Sequence, residues 1–307
     1  QPIGRQLLLG IAALCLIALS VLALTLSTYT REIALQETKT ALQVEVDLIS
    51  RTLEYAQETL EQRTAASLDQ FINALPPARL TGNKVIQGGQ ERPELMLGNI
   101  PGNGNQNYLE EFRRIKPGHD PSFLVKDGER FYRALTLLKN KSGQSRDGEE
   151  VSEAYVKAAA EGKAYSGTLE RSGKMYALAS KPIKDANSNV IGIYTMRMDA
   201  ESNIAILKDK LRSIVVGQSG YPYILAEPTG DSTAGRFVVH PQFEGKEFSA
   251  LGNSTIIGVL EKMLVDKKGL VLYDWPDENG NTRQKIVVFQ SIPALHWVVA
   301  TGSWLDE

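Results

Sequence analysis

Among the residues able to do chemistry, Arg133 has the most demanding setting, with Phe131 before it and Leu135 and Leu137 after it. An unpaired charge among apolar neighbours is costly, so this guanidinium wants an anionic partner. A ligand carboxylate would meet its planar fork with paired hydrogen bonds. An acid of the chain such as Glu129 or Glu170, or water at the edge of a sheet, would also meet the need. Tyr165, Tyr176 and Lys181 fall on strands expected to line the same cavity and offer hydroxyl and ammonium donors. Taken singly, each such residue is more often packing or surface. Arg133, Tyr165, Tyr176 and Lys181 are therefore the candidate ligand-binding residues.

A second group, Tyr221, Tyr223, His240, Tyr273, Trp275 and Lys285, also has pocket-lining types. Its aromatic residues alternate as strand residues do when they pack on a core, and a lone histidine before Pro241 reads as a hydrogen-bonded strand end. Asp185, Asn187 and Asn189 imitate the opening of a calcium loop, but Val190 and Met196 stand where that loop needs glycine and glutamate, so a β-turn is expected. His119, His240 and His296 are scattered, and the single cysteine, Cys15, has no partner for a disulfide, a zinc site or a redox pair. No nucleophile elbow, phosphate loop or dinucleotide fingerprint occurs. No catalytic residue, metal or cofactor is expected, and the reading is of a non-enzyme.

These residues need elements to hold them. The chain has 307 residues with 42% hydrophobic content, enough for two globular modules and something extended. A net charge of -2 leaves no electrostatic footprint for nucleic acid. Leu7–Leu26 carries no charge, and 20 residues rising ~1.5 Å each match the hydrocarbon core of a bilayer. A cleaved signal peptide would have a shorter apolar region and a small-residue cleavage site, so the segment reads as a transmembrane anchor. No second long apolar run follows, which puts the rest of the chain on one side of the membrane.

Beyond it, Leu42, Val46, Ile49, Leu53, Leu60, Leu68 and Phe71 recur mostly at spacings of three and four until Pro76-Pro77. This predicts one long helix that serves as a spine for the modules and, nearer the membrane, as a coiled coil in which Leu42, Val46, Ile49 and Leu53 face a second copy while Glu45 and Arg51 do not. Residues 82–107, rich in Gly, Asn, Gln and Pro, read as a surface loop. Strands and a helix between 123 and 198 are followed, after a connecting helix, by a second pass of similar order between 221 and 302. The fold class is α+β: a transmembrane helix continuing into a long N-terminal helix, then two antiparallel-sheet modules. The expected divisions are 1–29 for the anchor and its flanks, 30–107 for stalk helix and loop, 108–200 for a membrane-distal module and 201–307 for a membrane-proximal one.

Several stretches, KDGERFYRALTLLKN (126–140), AYSGTLERSGKMYALASKPIKDANSNVIGIY (164–194), VGQSGYPYIL (216–225), VVHP with EGKEF (238–248) and HWVVATGSWLDE (296–307), appear in an order that resembles the tandem Cache sensors of bacterial transmembrane receptors. The likeness covers about residues 30–307. It implies PAS-like sheets, a homodimer, and a small-molecule ligand, an organic acid or amino-acid-like compound, held in the distal module at about 108–199. It also implies a location outside the cytoplasm at the bacterial cell membrane, a second span just after Glu307, and a cytoplasmic output of the methyl-accepting chemoreceptor, histidine kinase or cyclic-dinucleotide type. A ligand-free, partner-binding ectodomain is the competing reading.

Overall fold

The computed structural model describes residues 2–140, 142–171, 174–228, 234–277 and 280–305, without the side chains of 2–15, 17 and 201–203. One helix, α1 (Pro2–Asn73), runs roughly 110 Å at 1.5 Å per residue. The expected anchor Leu7–Leu26 lies in its first part. Half of that segment's side chains fall outside the described residues, and among the described residues no helix is long and apolar enough to cross a membrane.

The helix ends at Asn73, three residues before Pro76, because the pyrrolidine rings of Pro76-Pro77 offer no N–H for another turn. There follow β1 (Ala78–Gln87), β2 (Gln90–Leu97) and β3 (Ile100–Pro101), a small antiparallel sheet. This corrects the surface loop expected over 82–107. The glycine pair that suggested a loop is a two-residue hairpin turn, Gly88 and Gly89 both having positive φ (56° and 77°), with Gln87 facing Gln90 across it. Leu95 and Leu97 are buried, and Asn103 accepts from Leu95 N at 2.7 Å and donates to Gln87 Oε1 at 2.7 Å, so the polar residues tie the sheet rather than loosen it.

The distal module contains α2 (Gln106–Ile115), β4 (His119–Asp127), β5 (Arg130–Leu135), β6 (Glu150–Val151), α3 (Ala154–Ala160), β7 (Tyr165–Arg171), β8 (Lys174–Lys184) and β9 (Val190–Asp199). Its six strands are ordered β6-β5-β4-β9-β8-β7 and pair antiparallel. After α4 (Glu201–Arg212) the proximal module adds β10 (Tyr221–Ala226), β11 (Arg236–Val239), α5 (Ser254–Asp266), β12 (Lys268–Pro276), β13 (Thr282–Ile292) and β14 (Trp297–Trp304). Its sheet order is β11-β10-β14-β13-β12, the same plan with the last strand in the middle. The result is a mixed α and β protein with a long N-terminal helix and antiparallel sheets.

Each sheet is apolar on both faces because a helix covers each. In the distal module Phe123, Val125, Ala134 and Leu135 pack toward Leu68 and Phe71 of α1, while Leu124, Phe131, Leu178 and Ile193 pack toward Tyr155, Val156 and Ala159 of α3. In the proximal module Ile286 and Val288 meet Leu42 and Val46, and Val287 and Phe289 meet Leu260 and Met263 of α5. Ile49, Leu53 and Leu60 join a core shared by both modules with Ala177, Leu211, Ile224 and Trp297.

Those contacts overturn the expected seam. Leu42, Val46, Ile49 and Leu53, assigned to a partner helix, are buried against the chain's own sheets. Between residues 30 and 73 the exposed large apolar residues of α1 are Ile33, Val44, Leu48 and Tyr55 instead. At ~100° per residue these four fall within about 60° of one another and roughly opposite the buried set.

Candidate functional site

The site begins with an irregularity in β5. Phe123 of β4 lies opposite Leu135, whereas its neighbour Leu124 lies opposite Arg133, so β5 carries one extra residue, Ala134, at this point. The bulge reverses the strand's phase. Leu135 turns to the α1 face and Arg133 stays with Phe131 and Leu124 on the α3 face. The preceding turn, Gly128-Glu129, is a two-residue hairpin with Gly128 at φ 60°, where a side chain would be strained.

On that face Arg133, Ser122, Thr195 and Arg197 border a cavity of about 40 Å³, closed by Tyr155 and Glu153 from the start of α3 and by Arg171 of β7. Thr136 and Arg146, from the segment between β5 and β6, complete its wall. Arg133 is only 6% exposed. Its main chain is held by hydrogen bonds from its own N to Glu149 O (2.9 Å) and from Gly148 N to its carbonyl (2.7 Å). Its Nε has no hydrogen-bond partner, and no carboxylate among the described residues pairs with it. Both intrachain acids weighed as partners are elsewhere: Glu129 is exposed in the turn, and Glu170 accepts from Arg236 at 2.8 Å.

The surrounding charges are more tightly committed. Asp120 receives Arg113 on Oδ1 (2.8 Å from Nε) and Arg197 on Oδ2 (2.6 Å). Glu153 accepts from Arg171, and Glu149 from Arg146 at 2.5 Å. Arg197 lies with its guanidinium carbon 4.3 Å from the centroid of the Tyr176 ring, and its Nε is without a partner, as is the Ser122 hydroxyl. Burial pushes the Tyr155 hydroxyl up to about 12, the nearby Arg133 charge opposing part of that rise. Among the residues lining this cavity, two arginine Nε–H groups and a serine hydroxyl are thus buried without a hydrogen-bond partner.

Of the four residues singled out in the sequence, the structure brings only Arg133 to the wall of this cavity. Tyr176 shares the face and holds Arg197 from behind. Tyr165 folds its ring over Gly167, where an added Cβ would lie 2.4 Å from the tyrosine oxygen, and borders a separate crevice of about 260 Å³ between the modules. Lys181 requires correction. Strand alternation turns it to the α1 face, where Nζ donates to Asp69 at 2.5 Å, so it cannot serve a cavity under α3. Arg197, Arg146, Arg171 and Tyr155 went unnoticed in the sequence, because their convergence depends on strand pairings no local pattern encodes.

In the proximal module the corresponding face carries a buried lysine among aromatic rings. Lys285 is 1% exposed and lies among the rings of Tyr221 (Nζ 3.7 Å from the centroid), Tyr223 (5.6 Å), Trp304 (5.6 Å) and Trp275 (5.9 Å). Burial pulls its amine down to about 7. His240 accepts from Gln242 N (3.1 Å) and Phe243 N (3.2 Å) at Nδ1, capping the turn, and burial followed by the Lys285 charge lowers it to about 3. The Tyr223 and Tyr273 hydroxyls are 3.1 Å apart. The Asp185 turn is likewise local: Oδ1 accepts from Asn187 N (2.9 Å) and Asn189 N (2.8 Å). Among the described residues no group of three or more His, Cys, Asp or Glu side chains is placed to hold a metal ion.

No curated protein matches the chain. Among solved structures, the ligand-binding domain of the Campylobacter jejuni chemoreceptor Tlp3, in complex with 4-methylisoleucine, is similar over 88% of this chain and 92% of its own, at 13% identity and a TM-score of 0.47. The periplasmic domain of RsbU from Chlamydia trachomatis is similar over 87% of this chain and 94% of its own, at 11% identity and a TM-score of 0.45. The extracellular domain of the putative histidine kinase mmHK1S-Z2 covers 65% of this chain and 80% of its own, at 14% identity and a TM-score of 0.36. A family model, the Cache 3/Cache 2 fusion domain, matches residues 29–307, and the chain belongs to that family of ligand-sensing domains.

Proposed function

We propose that this chain is the extracytoplasmic sensor of a bacterial transmembrane receptor of the chemoreceptor type, binding a small anionic or zwitterionic metabolite in the distal module (108–200). The observation that carries the reading is Arg133: a nearly buried guanidinium on the wall of a cavity, with an idle Nε and no carboxylate partner among the described residues. A lone buried charge is destabilising unless something pairs with it, and a ligand anion does so on binding. Arg133 is the charge partner, with Arg197 beside it and Tyr176 keeping Arg197 in place.

The test is calorimetry with organic acids and amino acids on wild type and Arg133→Ala. Loss of the charge partner should cost about 2–5 kcal/mol of binding. Unchanged affinity would remove Arg133 from the site, and the absence of any ligand-induced rise in melting temperature across the panel would favour a ligand-free ectodomain.

The receptor reading also includes an anchor at Leu7–Leu26 and a homodimer along α1, with Ile33, Val44, Leu48 and Tyr55 toward the second copy. Support comes from their exposure on one side of the helix, opposite the side used by the chain's own core. Cysteines at 44, 48 and 55, in a Cys15-free background, are expected to crosslink in membranes more readily than cysteines at 42, 46, 49 or 53. The reverse order would reject this face.

A further inference from the structure

We infer a second binding site, separate from the distal cavity, that takes a short neutral molecule with one acceptor oxygen, of the ketone or alcohol class. It is an apolar cavity of about 40 Å³ at the joint between the modules, walled by Leu53 and Leu60 of α1, Leu207 and Leu211 of α4, Ile224 of β10 and Trp297 of β14. Trp297 is 4% exposed, and its indole Nε1 is buried with no hydrogen-bond partner. A buried indole N–H ordinarily finds an acceptor, and leaving one unpaired is costly. Packing alone gives no reason for that cost, since a phenylalanine ring brings an apolar face to a core without a donor.

The other polar groups of the wall decide the class. Gln57 donates from Nε2 to Glu61 Oε1 at 2.5 Å, and the Thr168 hydroxyl donates to Ala294 O at 2.9 Å. Lys208, half-buried, is the one charged side chain on the wall among the described residues, and no carboxylate lines it. A cation would be desolvated there without a counter-charge, and an anion would leave water for a wall that is otherwise nearly all apolar. A neutral acceptor answers the unpaired donor, and an apolar body fills the rest. A water needs ~10–15 Å³ of such space, so the cavity suits about three or four heavy atoms. Thr168, Met175 and Leu295 line both this cavity and the crevice of about 260 Å³ between the modules, which gives a small molecule its route in. Because α1, α4 and strands of both sheets form the wall, an occupant bears directly on how the modules are joined.

The experiment titrates acetone, and isobutene as its isostere without the oxygen, into the whole chain in lipid nanodiscs at equal free concentrations in water. The readouts are the methyl resonances of Leu60 and Leu207 and, in wild type, the Trp297 indole N–H. Acetone should shift all three saturably, and isobutene should bind about three- to tenfold more weakly. Trp297→Phe should erase that preference, the two ligands then binding alike. Ala56→Leu, which fills the cavity from α1, should abolish both titrations while the unfolding midpoint holds or rises. Equal binding of the two in wild type would overturn the part given to the indole donor, and with it the ligand class. Absence of saturation, or titrations indifferent to Ala56→Leu, would overturn the site itself. No residue of this wall lines the distal cavity, so either failure leaves the reading of Arg133 where it stands.

Discussion

The two modules repeat one plan and put opposite contents on the same face. Under α3 the distal sheet presents arginines, idle donors and a cavity; under α5 the proximal sheet presents tyrosines and tryptophans with Lys285 buried among their rings. Both contain a buried cation with no carboxylate partner among the described residues, Arg133 in one and Lys285 in the other. The chemistry around each decides its use. Lysine can release its proton when desolvated, and aromatic faces offset part of the cost while it remains charged. Arginine cannot, so a ligand anion is the partner proposed for Arg133.

The largest expected effect follows from the lysine. Its amine falls from an ordinary 10.5 to about 7 in the folded chain, so between those values the unfolded chain holds one proton more and stability rises with pH. Below pH 7 both states are protonated, and the folded state bears the full penalty. At 1.36 kcal/mol per pH unit this amounts to about 5 kcal/mol, less what the rings return. Lys285→Met should therefore be more stable than wild type at pH 6 in denaturant titrations, and the rise between pH 7 and 10 should flatten. Lower stability of the variant at pH 6 would show that the rings hold the ammonium favourably, and the proximal face would then read as a cation site rather than as packing.

The same substitution in the distal module sharpens the contrast. Arg133→Met removes a charge that cannot neutralise itself, so the unliganded chain should gain about 1–3 kcal/mol while ligand no longer shifts its melting temperature. Loss of stability would mean that Arg133 already has a structural partner in the folded state.

His240 gives a change of similar size at the acid end. Lowered from 6.5 to about 3, it binds fewer protons folded than unfolded across that interval, and its contribution to stability is lost as pH falls from 6.5 toward 3. Protonation also removes the Nδ1 acceptor that caps the turn at Gln242 and Phe243. Replacement by Asn, an uncharged residue with an oxygen acceptor, should reduce the acid slope; an identical slope would assign acid sensitivity to carboxylates elsewhere.

The contrast between modules was only partly legible in the sequence. Element order, the long helix and most strands of both passes followed from periodicity and turn residues, because those signals are local. Arg133 was legible because a charge amid Phe131, Leu135 and Leu137 is anomalous in any sheet. Its surroundings were not, since the bulge at Ala134 shifts the phase after Arg133 and turns Leu135 to the other face, and nothing in the composition marks it. Lys181 fails for a simpler reason: it lies an odd number of residues from Tyr176 along β8, so strand alternation puts it on the α1 face. The sheet at 78–101 was lost because a glycine pair and polar residues look alike in a loop and in a tight hairpin, and the deciding contacts, Asn103 to Leu95 and Gln87, lie eight and sixteen residues away. The helix stripe was seen correctly as buried but given the wrong neighbour, because periodicity reports that a face is covered and not by what.

The smallest effect concerns the joint between the modules. Beside the shared core, Arg236 of the proximal sheet donates to Glu170 of β7 at 2.8 Å with both side chains largely buried, and the Thr168 hydroxyl donates to Ala294 O at 2.9 Å. Thr168 and Glu170 flank Leu169, a neighbour of the distal cavity, and Arg171 next in line reaches it with its pairing to Glu153. A ligand that draws Arg171 inward therefore pulls on the strand that carries the joint. A double-mutant cycle with Arg236→Gln and Glu170→Gln should give a coupling of about 0.5–1.5 kcal/mol without ligand, modest because the pair keeps some contact with water. If β7 transmits the distal event, saturating ligand should change that coupling measurably, since a site transmits only what differs between its two states. A coupling of normal size that ignores ligand would leave the ion pair as a static fastening, and would send the search for the signal path to α1 and the apolar core it shares with both sheets.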